Sequence, residues 1–230
     1  MAIFSVVVAT ANPPGHGGDA GAAFVKVDGR EALLRTVELF LNRDPIKQIQ
    51  LVVTPDAMAD AKHKYGAHLG FSGVKLVSGG PKWSDQISAA AKNIAAEATH
   101  VILHDAARPI VPYFDLDALL EAAEKNDAVA LTAPLRNTLL ELDEGGSPLA
   151  YHLPSAFVQL LMPQAFSRAK FLEMGSGKEI HASAITPLKA SPLNIRIGGA
   201  SDASMAKAML NMLPKPKVKA PNNPFEEAQW

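Results

Sequence analysis

Val101-Ile102-Leu103-His104-Asp105-Ala106-Ala107-Arg108-Pro109-Ile110-Val111 decides the reading of the chain. Three apolar residues make a short run suited to a buried strand, a polar cluster ends it, and Pro109 and Pro112 prevent regular structure from continuing. In an open α/β sheet, ligands bind just past the carboxyl ends of strands. Asp105 is placed there to hold a divalent cation through oxygen, and Arg108 to meet a phosphate as a two-pronged donor. The same two residues also suit an ion pair that merely closes a strand end.

Working outward, apolar runs alternate with helical periodicity. Strands are expected at Ile3 to Ala9, Gln48 to Thr54, Val74 to Ser78, Val101 onward, Ala128 to Ala133 and Leu193 to Ile197. Helices are expected over Arg30 to Arg43, Ala57 to His68, a segment capped by Ser84 that runs inward through Ile94 and Ala98, a segment around Leu116 to Ala123, Gln164 to Glu173, and Asp202 through Leu213. This order implies an α/β fold, doubly wound around a mostly parallel sheet. Leu139 to Leu153 departs from it: two extended runs flank Gly145-Gly146, as in a hairpin. One domain over residues 1–213 is expected, with a β-arm at about 137–155 and a proline-rich, disordered tail over 214–230.

Composition narrows the function classes. The chain has 230 residues, 48% apolar and 20% charged, with net charge −1, so no basic field favours nucleic acid or an acidic membrane. The absence of cysteine removes disulfides, thiolate metal sites and a cysteine nucleophile. No apolar run approaches the roughly 18 residues of a spanning helix, and the N-terminus lacks a basic leader, so a cytoplasmic location is expected. The seven histidines show no zinc-site spacing.

His104-Asp-Ala-Ala-Arg-Pro109 resembles the signature of the 2-C-methyl-D-erythritol 4-phosphate cytidylyltransferases. Gly79-Gly80, Ala133-Pro-Leu-Arg-Asn-Thr138, Pro163-Gln164 and Phe24 to Val37 resemble further blocks of that family, in the same order. The resemblance covers roughly residues 3 to 213. It implies a Rossmann-like sheet of the nucleotidyltransferase type with a projecting β-arm that dimerises. It also implies transfer of CMP from CTP to methylerythritol phosphate in non-mevalonate isoprenoid synthesis, with Mg²⁺. On the matching positions, Asp105 and Arg196 fall in catalytic places, with Asp105 also the metal ligand. Ala9, Ala11, Gly15, Gly17, Gly79, Gly80 and Arg108 fall at the nucleotide, and Asp105, Arg136 and Thr138 at the acceptor.

The first loop, Thr10 to Ala23, departs from the family pattern. There the family has glycines whose N–H groups approach the triphosphate, with an Arg and a Lys that neutralise it. Here Asn12 stands at the first glycine, Pro13-Pro14 remove two donors, and no Lys or Arg precedes Lys26. Trp83 replaces an Arg after the Gly-Gly turn, Gln86 a Ser, Met162 a Thr, and Arg196 a late Lys. Weak or altered transfer is therefore expected. The alternatives are a non-catalytic nucleotide- or phosphate-binding homologue and a dimeric interaction protein.

Overall fold

The computed structural model describes residues 2–213; the tail expected to be disordered, 214–230, lies outside the described residues. The chain opens with β1 (Phe4–Ala9), all six residues buried, as an apolar run covered on both faces requires. After the first loop come β2 (Lys26–Val27), β3 (Arg30–Glu31) and α1 (Ala32–Glu38). The helix expected from Arg30 thus begins two residues later and is shorter. Asp28 and Gly29, at φ 51° and 77°, form a two-residue hairpin turn that draws Arg30 and Glu31 into pairing with Lys26 and Val27.

β4 (Ile46–Val53), α2 (Pro55–Phe71) and β5 (Val74–Ser78) follow as expected, α2 starting on Pro55, whose fixed φ suits a first helical position. α3 (Trp83–Ala91) is capped from Lys82, not Ser84, with Asp85 Oδ2 accepting the Lys82 N–H at 3.3 Å. It ends before Ile94 and Ala98. β6 (His100–Asp105), α4 (Tyr113–Ala123) and β7 (Ala128–Pro134) lead to the arm, β8 (Leu139–Leu142) paired with β9 (Pro148–His152).

The last third of the chain differs most from the sequence expectation. Gln164 to Ser167 are not helical; they finish β10 (Val158–Ser167), antiparallel to both β6 and β7. Ser167 then starts α5 (Arg168–Gly175), its Oγ accepting from Lys170 N. The expected final strand at Leu193 to Ile197 is an irregular segment. The sheet's edge is instead β11 (Thr186–Lys189), beside β7 alone, where Pro187 is tolerated because an edge strand needs fewer donors. α6 (Ala203–Met212) closes the described chain.

The seven strands run β11-β7-β10-β6-β1-β4-β5, all parallel neighbours except around β10. Alternate strand residues enter two cores. Val6, Val8 and Ile102 meet α1, α2 and α4, whereas Val7, Val101 and Leu103 meet α3 and α5. The sheet is thus covered on both faces, and the carboxyl ends of β1 and β6 lie side by side, Ala9 opposite Asp105.

Candidate active site

Asp105 ends β6 and is fully buried. Its Oδ1 accepts the Ala107 N–H at 2.9 Å and its backbone oxygen the Arg108 N–H at 3.0 Å, a local turn that short acidic side chains favour. Oδ2 accepts from Arg196 Nε at 2.7 Å, with Arg108 Nε at 3.8 Å. Arg196 also donates from Nη1 to Gly17 O at 2.9 Å and from Nη2 to Asn12 Oδ1 at 2.6 Å. One guanidinium therefore fastens the strand end, the first loop and the segment before α6 together.

Arg108, 4% exposed, reaches Asn194 O and Oδ1 at 3.4 Å and the His16 ring at 3.2 Å. Asn194 in turn donates to Met162 O at 2.6 Å. Burial pulls the Arg108 pKa down, the Asp105 charge opposes that, and the Arg196 charge adds to it. Two buried guanidiniums against one carboxylate leave an excess positive charge, which a bound anion would relieve. His104 turns away from this cluster. It is fully buried, its Nε2 lies 3.0 Å from Arg108 O, and burial lowers its pKa to about 3, so it stays neutral.

Two cavities flank the Arg196–Asn12 contact. The larger, about 920 Å³, is lined by Thr10, Ala11, Asn12, Lys82, Trp83 and Gln164 among others. The smaller, about 520 Å³, is lined by Arg108, Arg136, Asn137, Gln159, Asn194 and Arg196 with no carboxylate. Arg136 and Arg196, distant in sequence, are thus brought together with Arg108. Thr138, exposed on the same turn as Arg136, does not line that cavity.

The residues expected at a nucleotide are only partly gathered. Ala9 is buried within β1, its oxygen accepting the Ala106 N–H. Gln86 Oε1 takes both the Thr10 and Ala11 N–H groups, at 2.8 and 3.1 Å. Gly15 and Gly17 are exposed on the loop. Gly79 and Gly80 pack under α3: a Cβ at Gly79 would stand 2.8 Å from Val52 Cγ1, and one at Gly80 2.5 Å from Asp85 Oδ2. They serve close packing at the strand-to-helix turn rather than lining the cavity.

A divalent cation does not fit on Asp105 in this arrangement. The carboxylate has no exposure, and a guanidinium holds the oxygen a metal would need. No cluster of three or more His, Cys, Asp or Glu side chains suited to a metal occurs among the described residues.

Sequence reasoning missed Asn12 and Asn194 as partners of the arginines, Gln86 as the loop anchor, and Lys82 and Lys178 as charges at the larger cavity. Asn12 and Gln86 carried a signal, since both stand where the family pattern has something smaller.

Comparison with known proteins agrees with this architecture. Solved structures of 4-diphosphocytidyl-2C-methyl-D-erythritol synthase from Anaerococcus prevotii (TM-score 0.75, 18% identity, 91% of this chain and 96% of that one) and of the cytidylyltransferase from Thermus thermophilus (0.71, 22%, 92% and 100%) share the fold. Curated 2-C-methyl-D-erythritol 4-phosphate cytidylyltransferases from Rhodopirellula baltica and Haemophilus ducreyi are 26% and 27% identical, over 85% and 81% of this chain and 89% and 86% of theirs. No helix among the described residues is long and apolar enough to cross a membrane. With the family model for 2-C-methyl-D-erythritol 4-phosphate cytidylyltransferase matching residues 3–191, the chain belongs to that family.

Proposed function

We propose that this chain keeps a nucleotide cavity and an adjoining acceptor cavity but transfers cytidylyl slowly or not at all. The family reaction is attack by an acceptor phosphate oxygen on the α-phosphorus of CTP. An O–P bond forms, the α–β bridge bond breaks, and pyrophosphate leaves with the electron pair. The protein contributes in-line positioning and neutralisation of charge.

The observation that carries the reading is the engagement of Arg196. Its guanidinium is already bound to Asp105, Gly17 and Asn12, and its contact with Asn12 lies between the two cavities. The first loop offers no Lys or Arg in compensation and carries Asp19 instead. Each preorganised charge missing from such a transition state costs roughly 3 kcal/mol, about a hundredfold in rate, and coupled losses need not add. A deficit of about 10⁴-fold against an intact relative is expected.

Arg108 and Arg136 suit the phosphate of a small phosphorylated acceptor in the smaller cavity, with Arg196 fixed beside them. Asp105 acts as the charge partner of Arg108 and Arg196. The arm supports a homodimer, since Leu140, Leu142, Leu149 and Leu153 are exposed on a two-stranded hairpin that is marginal alone.

The test is pyrophosphate release from CTP with methylerythritol phosphate, alongside calorimetry with CTP, UTP, ATP and GTP. CTP binding with turnover far below the ordinary range of about 1–10³ s⁻¹ is expected; turnover within that range refutes the reading. Ala20→Lys, at an exposed loop position lining the larger cavity, is expected to raise the rate.

A further inference from the structure

The larger cavity carries charges outside every motif. Lys82 enters it from the cap of α3 and Lys178 from just beyond α5, both exposed. Neither ammonium is ion-paired among the described residues, where the lysine pairs are those of Lys26, Lys64, Lys125, Lys170 and Lys207. Glu179 is the one carboxylate among the described lining residues, so two lysines outnumber it. α3 also opens onto this cavity through Trp83 and Ser84, and the N-terminal end of a helix favours anions.

A second observation points to a ligand. Gln164, 9% exposed, lines the cavity with a side-chain amide that has no hydrogen-bond partner among the described residues. Its polar end therefore opens into the cavity, free to meet a ligand. Beside it, Trp83, Phe166, Met174 and Ile180 make an apolar wall able to receive a planar ring. Ring platform, amide and flanking cations together match a nucleoside polyphosphate.

We infer that Lys82 and Lys178 are the phosphate-binding cations of this chain, replacing from the α3 and α5 sides of the cavity the charge missing from its first loop. The inference rests on the nucleotide-binding reading above and adds the residues that hold the phosphates. It also separates affinity from turnover. Cations at the cap of α3 and beyond α5 can retain a polyphosphate without being the loop cations that neutralise the transition state.

The experiment is calorimetry with CTP, cytidine and inorganic pyrophosphate on the full chain, using Lys82→Ala, Lys178→Ala, the double variant, Lys82→Arg/Lys178→Arg, and Lys92→Ala as a control away from the cavity. Each single alanine is expected to weaken CTP binding about three- to tenfold and the double about 10- to 50-fold, as for partly solvated charge contacts. Arginines restore most of the affinity, Lys92→Ala changes nothing, and cytidine binding is the same throughout. CTP affinity unchanged in the double alanine variant overturns the lysine assignment while leaving nucleotide binding intact. Lysine-dependent pyrophosphate binding in a wild type that binds no nucleotide upholds the cation pair and removes the nucleotide reading. Wild type binding neither overturns both.

Discussion

Arg196 Nη2 donates to Asn12 Oδ1 across 2.6 Å, joining residues 184 positions apart. Both depart from the family pattern, Asn for Gly and Arg for Lys, and the two departures meet in one contact. A lysine ammonium, with its single charge centre, could not hold Asp105, Gly17 and Asn12 in the same planar fork.

That contact predicts non-additive stability. Asn12→Gly and Arg196→Lys are each expected to destabilise the fold by about 1–3 kcal/mol, typical of a charge-assisted hydrogen bond. The double variant should lose less than the sum, because the second change removes a partner already lost. Urea unfolding of the four proteins of the cycle measures this.

Gln86 anchors the same loop from beneath. Gln86→Leu keeps the volume but leaves the buried Thr10 and Ala11 N–H groups without their side-chain acceptor. Thr10 N retains a longer bond to Val52 O at 3.2 Å, so Ala11 suffers more. The expected cost is about 2–4 kcal/mol, read as a lower urea midpoint with unchanged slope.

Acid stability should carry the mark of His104. Burial lowers its folded pKa to about 3, while the unfolded chain titrates at the ordinary value near 6.5. Between those values the unfolded state binds the additional proton, so stability falls as pH drops, by about 1.4 kcal/mol per unit. His104→Gln, which keeps a donor for Arg108 O, should flatten the stability profile between pH 6 and pH 4 by about that slope. An identical profile in the variant would show the acid response to reside elsewhere.

For the arm, wild type is expected to sediment as the proposed dimer at micromolar concentration and Leu140→Lys with Leu149→Lys as a monomer, with the thermal transition of the domain little changed. Both side chains are exposed within the single chain, so charges there disturb no core.

Much of the fold was legible in the sequence. β1, β4, β5, β6 and β7 announce themselves as continuous apolar runs, and the hairpin by its glycine turn. β10 was not, because Gln164-Ala-Phe-Ser167 has no propensity that outweighs a helical continuation; only the slot between β6 and β7 makes it extended. β11 hid behind Pro187, which a sequence reading demotes. In the candidate site, Asp105 and Arg108 stand in the hexapeptide, and Arg196 was singled out only as the counterpart of a late family lysine. Their partner Asn194 was not singled out, since an amide acceptor carries no periodic or charge signal, and Asn12 stood out only as a departure from the family glycine.

β10 is one unbroken piece of backbone with two occupations. Its beginning, Val158 to Leu160, lies exposed at the root of the arm; its end, Gln164 to Ser167, is clamped between β6 and β7 and carries the unpartnered amide of the larger cavity. Whatever grips the arm therefore holds the near end of a strand whose far end forms a wall of the cavity, with a register shift between Leu160 and Gln164 in between. A companion subunit and a small molecule would then lean on the two ends of one strand.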